Sequence, residues 1–274
     1  MKHIENGVHD ISNAEYHGSA GLSRSALMQL KKSPYHYWFN YLSGQAEQKE
    51  PTPDMNIGSA VHTLVLEPNK FDDEFFITTQ QTRPKKGTAP HQNMLFLANL
   101  RCILTPDEYQ LAQDIAESVK KESLAMALLQ DCKVEQSIYY THKLSGYQCK
   151  SRPDAWLNGI VVDLKTSGDA SNRAFMGSAS TYGYYLQAGM MFRALESINQ
   201  SMEQFVFIVV EKKPPYAVAI YTLSDEALAY GIKQFDYLMQ VYARCKENDK
   251  WPGFGIRELS LPGWLKFDDE MEIE

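Results

Sequence analysis

The sequence predicts a single α/β domain, with a central mixed β-sheet flanked by helices and a helical N-terminal region. Three observations predict it. Helix-capping signals fill the first part of the chain, from about residue 10 to residue 130. Between about 131 and 222 the apolar residues switch from helical spacing to strand alternation around an Asn158-Gly159 turn. From 223 onward a long amphipathic pattern returns, followed by a tail to residue 274. The 274 residues allow one large domain, and neither an internal repeat nor a low-complexity linker divides them.

The N-terminal elements follow from their caps. Ser12-Asn-Ala-Glu15 fits a capping box, in which serine and glutamate satisfy each other's backbone donors. Ser23 can cap a helix bearing Leu27 and Leu30. Ser33-Pro34 sets a cap before a first-turn proline, followed by Tyr35, Trp38, Tyr41 and Leu42, with Gly44 as a stop. Gln45 to Asp54 is polar, carries Pro51 and Pro53, and reads as a loop. Ile57 to Leu66 reads as a short helix ended by Glu67-Pro68, and Thr78 to Gln92 as a second loop. Leu111, Ile115, Val119 and Leu128 place a helix over about 106–130.

In the middle, Val134 to His142 alternates as a strand and Ser145-Gly146 turns. Asn158-Gly159 then joins two strands, because a two-residue type I′ loop needs positive φ at both positions. Thr181 to Leu195 reads as a helix, Phe205 to Val210 as a buried strand, and Ala217 to Tyr221 as a strand after Pro214-Pro215. Ser224 caps a long helix over Asp225 to Cys245, and the acidic tail Asp268 to Glu274 is expected to fray.

Bulk properties exclude several classes. No apolar run is long enough for a membrane span, and the N-terminus lacks a signal peptide's apolar core, so a cytoplasmic protein is expected. Cys102, Cys132, Cys149 and Cys245 form no C-x-x-C pair, which argues against a zinc knot or an iron–sulfur cluster. A net charge of −7 excludes a generally basic protein, though not a local basic channel.

The hairpin carries the chemistry. With Asn158-Gly159 as its loop, Leu157 pairs with Ile160, Trp156 with Val161 and Ala155 with Val162, so Asp154 falls opposite Asp163. Alternation adds Lys165 to the same face, with Arg152 as its cross-strand neighbour. Two opposed carboxylates repel unless a cation lies between them. A divalent metal with a lysine beside it suits phosphodiester hydrolysis; the plainer alternative is a surface hairpin with an Asp–Lys salt bridge. Three further positions could join the site: Glu135 in the preceding strand, His62 on an apolar helix, and Gln187 among Tyr184, Tyr185 and Met191. Each by itself reads as a structural residue.

Together Gly58-Ser-Ala-Val-His62, Arg152-Pro-Asp154, Asp163-Leu-Lys165 and Gln187 resemble the RecB-like branch of the PD-(D/E)xK nuclease superfamily. Four further strings, Ile11 to His17, Gly21 to Ser25, Leu64 to Phe71 and Trp251 to Trp264, look like the nuclease domain of RecE-type exonucleases, the exodeoxyribonuclease VIII group. The resemblance implies a restriction-endonuclease-like core spanning the chain and a metal-dependent 5′-to-3′ exonuclease that leaves 3′ single strands on linear duplex DNA. It implies Asp154, Asp163, His62 and the backbone carbonyl of Leu164 as metal ligands, Lys165 as the residue acting on water, and Glu135 as a support for a second ion. Mg²⁺ is the implied ion, with Mn²⁺ as a substitute. Gln187 would open a Gln-x-x-x-Tyr motif, but Met191 stands at the tyrosine position, where Tyr184 or Tyr185 could substitute. The family is similar in forming rings around duplex DNA and in handing its product to an annealing recombinase of the RecT type. On that basis Arg152, Arg83, Lys85, Lys86, Lys31 and Lys32 are candidate DNA contacts. A structure-specific or restriction-type endonuclease, and a non-catalytic DNA-end-binding protein, are the competing expectations.

Overall fold

The computed structural model describes residues 2–47 and 50–262. The acidic tail Asp268 to Glu274 and Trp264 lie outside the described residues. The chain opens with a short strand β1 (Gly7–His9) and three capped helices, α1 (Asn13–Gly18), α2 (Arg24–Lys32) and α3 (Pro34–Tyr41). Ser12, Ser23 and Ser33 cap them as expected, and Ser12 with Glu15 closes the full capping box. Helix α4 (Pro53–Leu66) begins earlier than its apolar pattern, because Thr52 caps it and Pro53 occupies the first turn.

Next come α5 (Phe71–Glu74), β2 (Phe75–Ile77), α6 (Ala89–Ala98), β3 (Cys102–Leu104), α7 (Pro106–Lys121) and α8 (Ser123–Leu129). Two expectations are corrected here. The second loop ends where Thr88 and Pro90 start α6, and the helix over 106–130 is two helices broken at Glu122, whose side chain caps the second. The N-terminal region is therefore not purely helical: β2 and β3 form a parallel pair within it.

The remaining elements are β4 (Lys133–Val134), β5 (Ser137–Thr141), β6 (Gln148–Ser151), β7 (Ala155–Leu157), β8 (Ile160–Ser167), α9 (Asn172–Tyr182), α10 (Tyr184–Ser197), β9 (Gln204–Glu211), β10 (Val218–Thr222) and α11 (Asp225–Glu247). The central sheet has the order β10-β9-β8-β7-β4; β8 and β9 run parallel and the other pairs antiparallel. A second sheet, β1-β5-β6, is antiparallel. The expected strand over Val134 to His142 is thus split between two sheets. The break falls at Glu135, which takes φ +50, a conformation that ends strand pairing and turns the chain.

Alternation along the sheet builds two cores. Val161, Phe205, Phe207 and Val209 face one way, packing with Leu27 and Leu30 of α2, Leu186 of α10 and Phe235 of α11. Val162, Leu164, Ile208 and Val210 face the other, against Val61 of α4 and Ile115 of α7. This is the mixed sheet flanked by helices that the sequence predicts. Helices α10 and α11 cross backbone to backbone at Gly189 and Gly231, where a Cβ on either glycine would overlap the other helix's main chain. Between α9 and α10, Gly183 sits at φ +72 with the Met28 side chain closed over it, so a side chain there is opposed twice.

Candidate active and metal site

Hairpin β7–β8 has the predicted register, Ala155 with Val162, Trp156 with Val161 and Leu157 with Ile160. Asn158 and Gly159 take φ +48 and +83 in its loop. The ladder stops at Ala155, and Asp154 is not simply paired across from Asp163. Its Oδ2 instead accepts the Leu164 backbone N–H at 2.6 Å. Pro153 lacks the N–H needed to continue the ladder, and the bend separates the two carboxylates' roles. In an extended strand a residue's N–H and C=O leave on the same side, so the Leu164 carbonyl also faces Asp154, beyond the end of the ladder.

Asp163 is fully buried. Its Oδ2 forms an ion pair with Lys165, and its Oδ1 accepts a hydrogen bond from Gln187 Nε2 at 2.5 Å. Gln187 Oε1 is buried without a hydrogen-bond partner among the described residues. Burial disfavours the charge on Lys165, but Asp163 first and then Asp154 outweigh it and raise its pKa above the ordinary value. The ammonium is therefore held as a charged donor. It also lies 5.2 Å from the centre of the Tyr184 ring.

The third group arrives from distant segments. His62, on α4, places Nδ1 3.5 Å from Asp154 Oδ2, and Glu135 joins them, the three ligand atoms lying within 4.8 Å of one another. Gly58, one helical turn earlier, lets α4 approach Thr166 on β8. Burial, then the Asp154 charge, push the Glu135 carboxyl up to about 8, with Arg152 opposing. Burial and Asp163 likewise raise Asp154. Three carboxylates against the Lys165 ammonium and the Arg152 guanidinium, 3.8 Å from Glu135, leave an excess of negative charge, and nearby carboxylates rise in pKa when cations do not fully compensate them. Two carboxylates, an imidazole and a free backbone carbonyl form a donor set that a divalent ion fits. Of the expected ligands, His62 and Asp154 converge there with Glu135, and the Leu164 N–H is bound to Asp154. Asp163 lines the same cavity as Asp154, engaged by Lys165 and Gln187.

The expected DNA contacts divide. Arg152 is not a strand neighbour of Lys165: β6 pairs with β5, and the guanidinium binds Ser137 Oγ at 2.6 and 2.9 Å and the Ile11 carbonyl at 2.8 Å. With 8% of its side chain exposed it is a buried strut of the site's wall. Arg83 makes a two-pronged ion pair to Glu108 at 2.6 and 2.7 Å and donates to the Ile103 carbonyl. Lys86 pairs with Glu50, while Lys85 and, at the end of α2, Lys31 and Lys32 are exposed.

Of the two tyrosines near Gln187, only Tyr184 reaches the site; Tyr185 packs edge-on against Tyr230 of α11. Met191 is buried in the core. Two open cavities flank the site, of about 710 and about 920 Å³, and Arg24, Arg152 and Lys165 line both. Arg24 went unrecognised in sequence reasoning; its only signal was the Ser23-Arg-Ser25 string beside a cap.

Residues 23–255 match the family model described as a PDDEXK-like domain of unknown function (DUF3799). No curated protein matches the sequence significantly. Among solved structures, the chain is similar in fold to a proposed exonuclease from Eubacterium rectale, with a TM-score of 0.64 at 14% identity. That alignment covers 93% of this chain and 96% of the other. A phage-related exonuclease from Haemophilus somnus aligns at a TM-score of 0.29 and 13% identity, over 61% of this chain and 91% of that one; at that score it carries no weight. The fold is that of a restriction-endonuclease-like core. No described helix is long and apolar enough to cross a membrane.

Proposed function

The chain belongs to the PDDEXK-like family DUF3799, and from that membership we propose that it is a divalent-metal-dependent 5′-to-3′ exodeoxyribonuclease acting on the ends of linear duplex DNA. The PDDEXK-like domain supports a nuclease. The observation that carries the reading furthest is the half-buried group of His62, Glu135 and Asp154 beside a positively charged Lys165. A divalent ion bound there would neutralise charge developing at phosphorus and lower the pKa of an attacking water. His62, Glu135, Asp154 and the Leu164 carbonyl are the residues that would hold it. Mg²⁺ is the proposed ion, two per site. The His62 nitrogen makes Mn²⁺ an effective substitute, since imidazole suits transition metals better than Mg²⁺.

The protein's own groups supply orientation. Asp163 fixes the Lys165 ammonium, Gln187 fixes Asp163, and the Leu164 N–H fixes Asp154. Lys165 then offers a proton and a positive charge to a water or a phosphate oxygen in the cavity. We further propose release of mononucleotides, a 3′ single-stranded product taken up by a RecT-type annealing partner, a ring-shaped homo-oligomer, and a cytoplasmic location.

Digestion of end-labelled linear duplex with Mg²⁺ or Mn²⁺ tests this. Release of the 5′ label as mononucleotide, with the 3′ strand surviving, is the expected result, and Lys165→Ala and Asp163→Ala should abolish it. Cutting of closed circular duplex would replace the exonuclease reading with an endonuclease one. Inactivity of the wild type with both ions would favour a non-catalytic DNA-binding role.

A further inference from the structure

The two cavities that meet at the site differ in charge and in lining. The first carries Arg24, Lys150, Arg152 and Lys165 against Asp154 and Asp163, with Lys150 buried and donating to the Tyr16 and Ser19 carbonyls and Arg152 held by Ser137 and Ile11. The second carries five basic and five acidic side chains, the acids being Asp10, Asp54, Glu67, Glu74 and Glu135. His62 and Glu135 of the proposed metal site also line it, and Phe175, Tyr182 and Tyr184 form one of its walls.

Tyr184 is packed on its far side by Phe207 and Phe175, with ring centres 5.6 and 5.7 Å away. One ring further from Lys165, Tyr182 lies 6.1 Å from Tyr184 at 32°, and its side chain is 59% exposed. A solvent-facing aromatic is ordinary at a helix end, but the backbone that carries this one is tied down. It is the last residue of α9, immediately before the left-handed Gly183, and Arg24 Nη1 donates to its carbonyl at 3.1 Å. The Arg24 guanidinium also lies 5.9 Å from the Tyr184 ring centre. The corner between α9 and α10 is thus tied to α2, and the Tyr182 backbone keeps a set position relative to the reacting centre.

We infer that Tyr182, backed by Tyr184 and clamped by Arg24, is a stacking platform for one unpaired nucleobase next to the scissile phosphate. Every base has a π-face, so such a platform accepts all four. It holds the base against the aromatic wall of the second cavity, beside the proposed metal site, and so helps peel the cleaved strand from its complement. This inference rests on the nuclease reading and names the part of the substrate that enters the second cavity.

The test uses linear duplexes that each carry one abasic nucleotide within a few positions of an end, digested under single-turnover conditions. Wild type, Tyr182→Ala and Tyr182→Trp are compared. One abasic position should slow the wild type on the order of tenfold, within the range of base–aromatic stacking. Tyr182→Ala should cut intact duplex about as slowly and be indifferent to that abasic position, and Tyr182→Trp should restore both rate and sensitivity. An active wild type with no sensitive position, or a Tyr182→Ala variant that keeps the sensitivity, overturns the platform and leaves the nuclease reading standing. A wild type that cleaves no DNA overturns both.

Discussion

Gly231→Ala should damage stability and cleavage together, through the crossing of α10 and α11. A methyl group on Gly231 would overlap the Tyr185 carbonyl oxygen and lie 2.8 Å from its carbon and 3.4 Å from Gly189 N. Carbon atoms in contact prefer about 3.5–4.0 Å, so the helices must part by roughly 1 Å. The clash is with main chain, which cannot swing aside as a side-chain tip can. Overpacking of this kind costs about 1–3 kcal/mol, against a helix-propensity gain from alanine of up to about 1 kcal/mol. At roughly 2–4 °C per kcal/mol for a chain of this size, the melting temperature should fall by several degrees. Gln187 lies two residues from both Tyr185 and Gly189, and its hydrogen bond to Asp163 is 2.5 Å long. A displacement of about 1 Å in a positioning group can cost on the order of 100-fold in rate. Thermal melts and single-turnover cleavage read the two effects. Gly177→Ala is the control, because nothing lies within 4 Å of that Cβ position on the exposed side of α9. It should raise stability by up to about 1 kcal/mol. If Gly231→Ala melts at or above the wild-type temperature, the helix crossing does not have the tolerance assigned to it.

Glu135 makes the metal-free protein pH-sensitive. Its folded pKa of about 8 exceeds the ordinary 4.5, so its contribution is fully present below pH 4.5 and is lost as pH rises toward 8. Denaturation midpoints in EDTA should show this decline, at most about 1.4 kcal/mol per pH unit, and Glu135→Gln should flatten it; an unchanged slope refutes it. Arg83→Ala should cost about 1–3 kcal/mol in stability, because Glu108, which also caps α7 through Thr105 N at 2.9 Å, loses a charged partner. Its DNA affinity should match wild type; a specific affinity loss would restore Arg83 as a contact. Replacing both Lys31 and Lys32 by alanine should lower the slope of log K against log salt by about 1.8 for duplex DNA if both touch phosphate, and an unchanged slope removes them from the interface.

Local rules made much of the centre legible. The Asn-Gly loop set the hairpin register, and serines before helical runs marked the caps at Ser12, Ser23, Ser33 and Ser224. Placing His62 and Glu135 near Asp154 rested on resemblance, because the distance between chain segments leaves no trace in local periodicity. The short strands β1, β2 and β3 escaped notice because their partners lie far along the chain or have too few residues to show alternation, and β6 ran without a break into the hairpin that follows it. Glu135 misled through its neighbours, since an alternating run on both sides concealed a left-handed residue at its break. Composition did not reveal the partner of Arg83. It lies in a lysine-rich stretch, yet its guanidinium is committed to Glu108, 25 residues away.

The left-handed turn at Glu135 is the point where one run of chain leaves the central sheet and enters the second. The Glu135 N–H donates to the Asp154 carbonyl at 3.1 Å where β4 pairs with β7, so the central sheet sets these two side by side, and α4 brings His62 to them. Metal capture at the proposed site would therefore require α4 to be docked on the sheet. A chain with the hairpin and its lysine alone would lack the full ligand set. For a protein proposed to destroy DNA inside the cell that makes it, such a dependence would keep unfinished chains chemically silent.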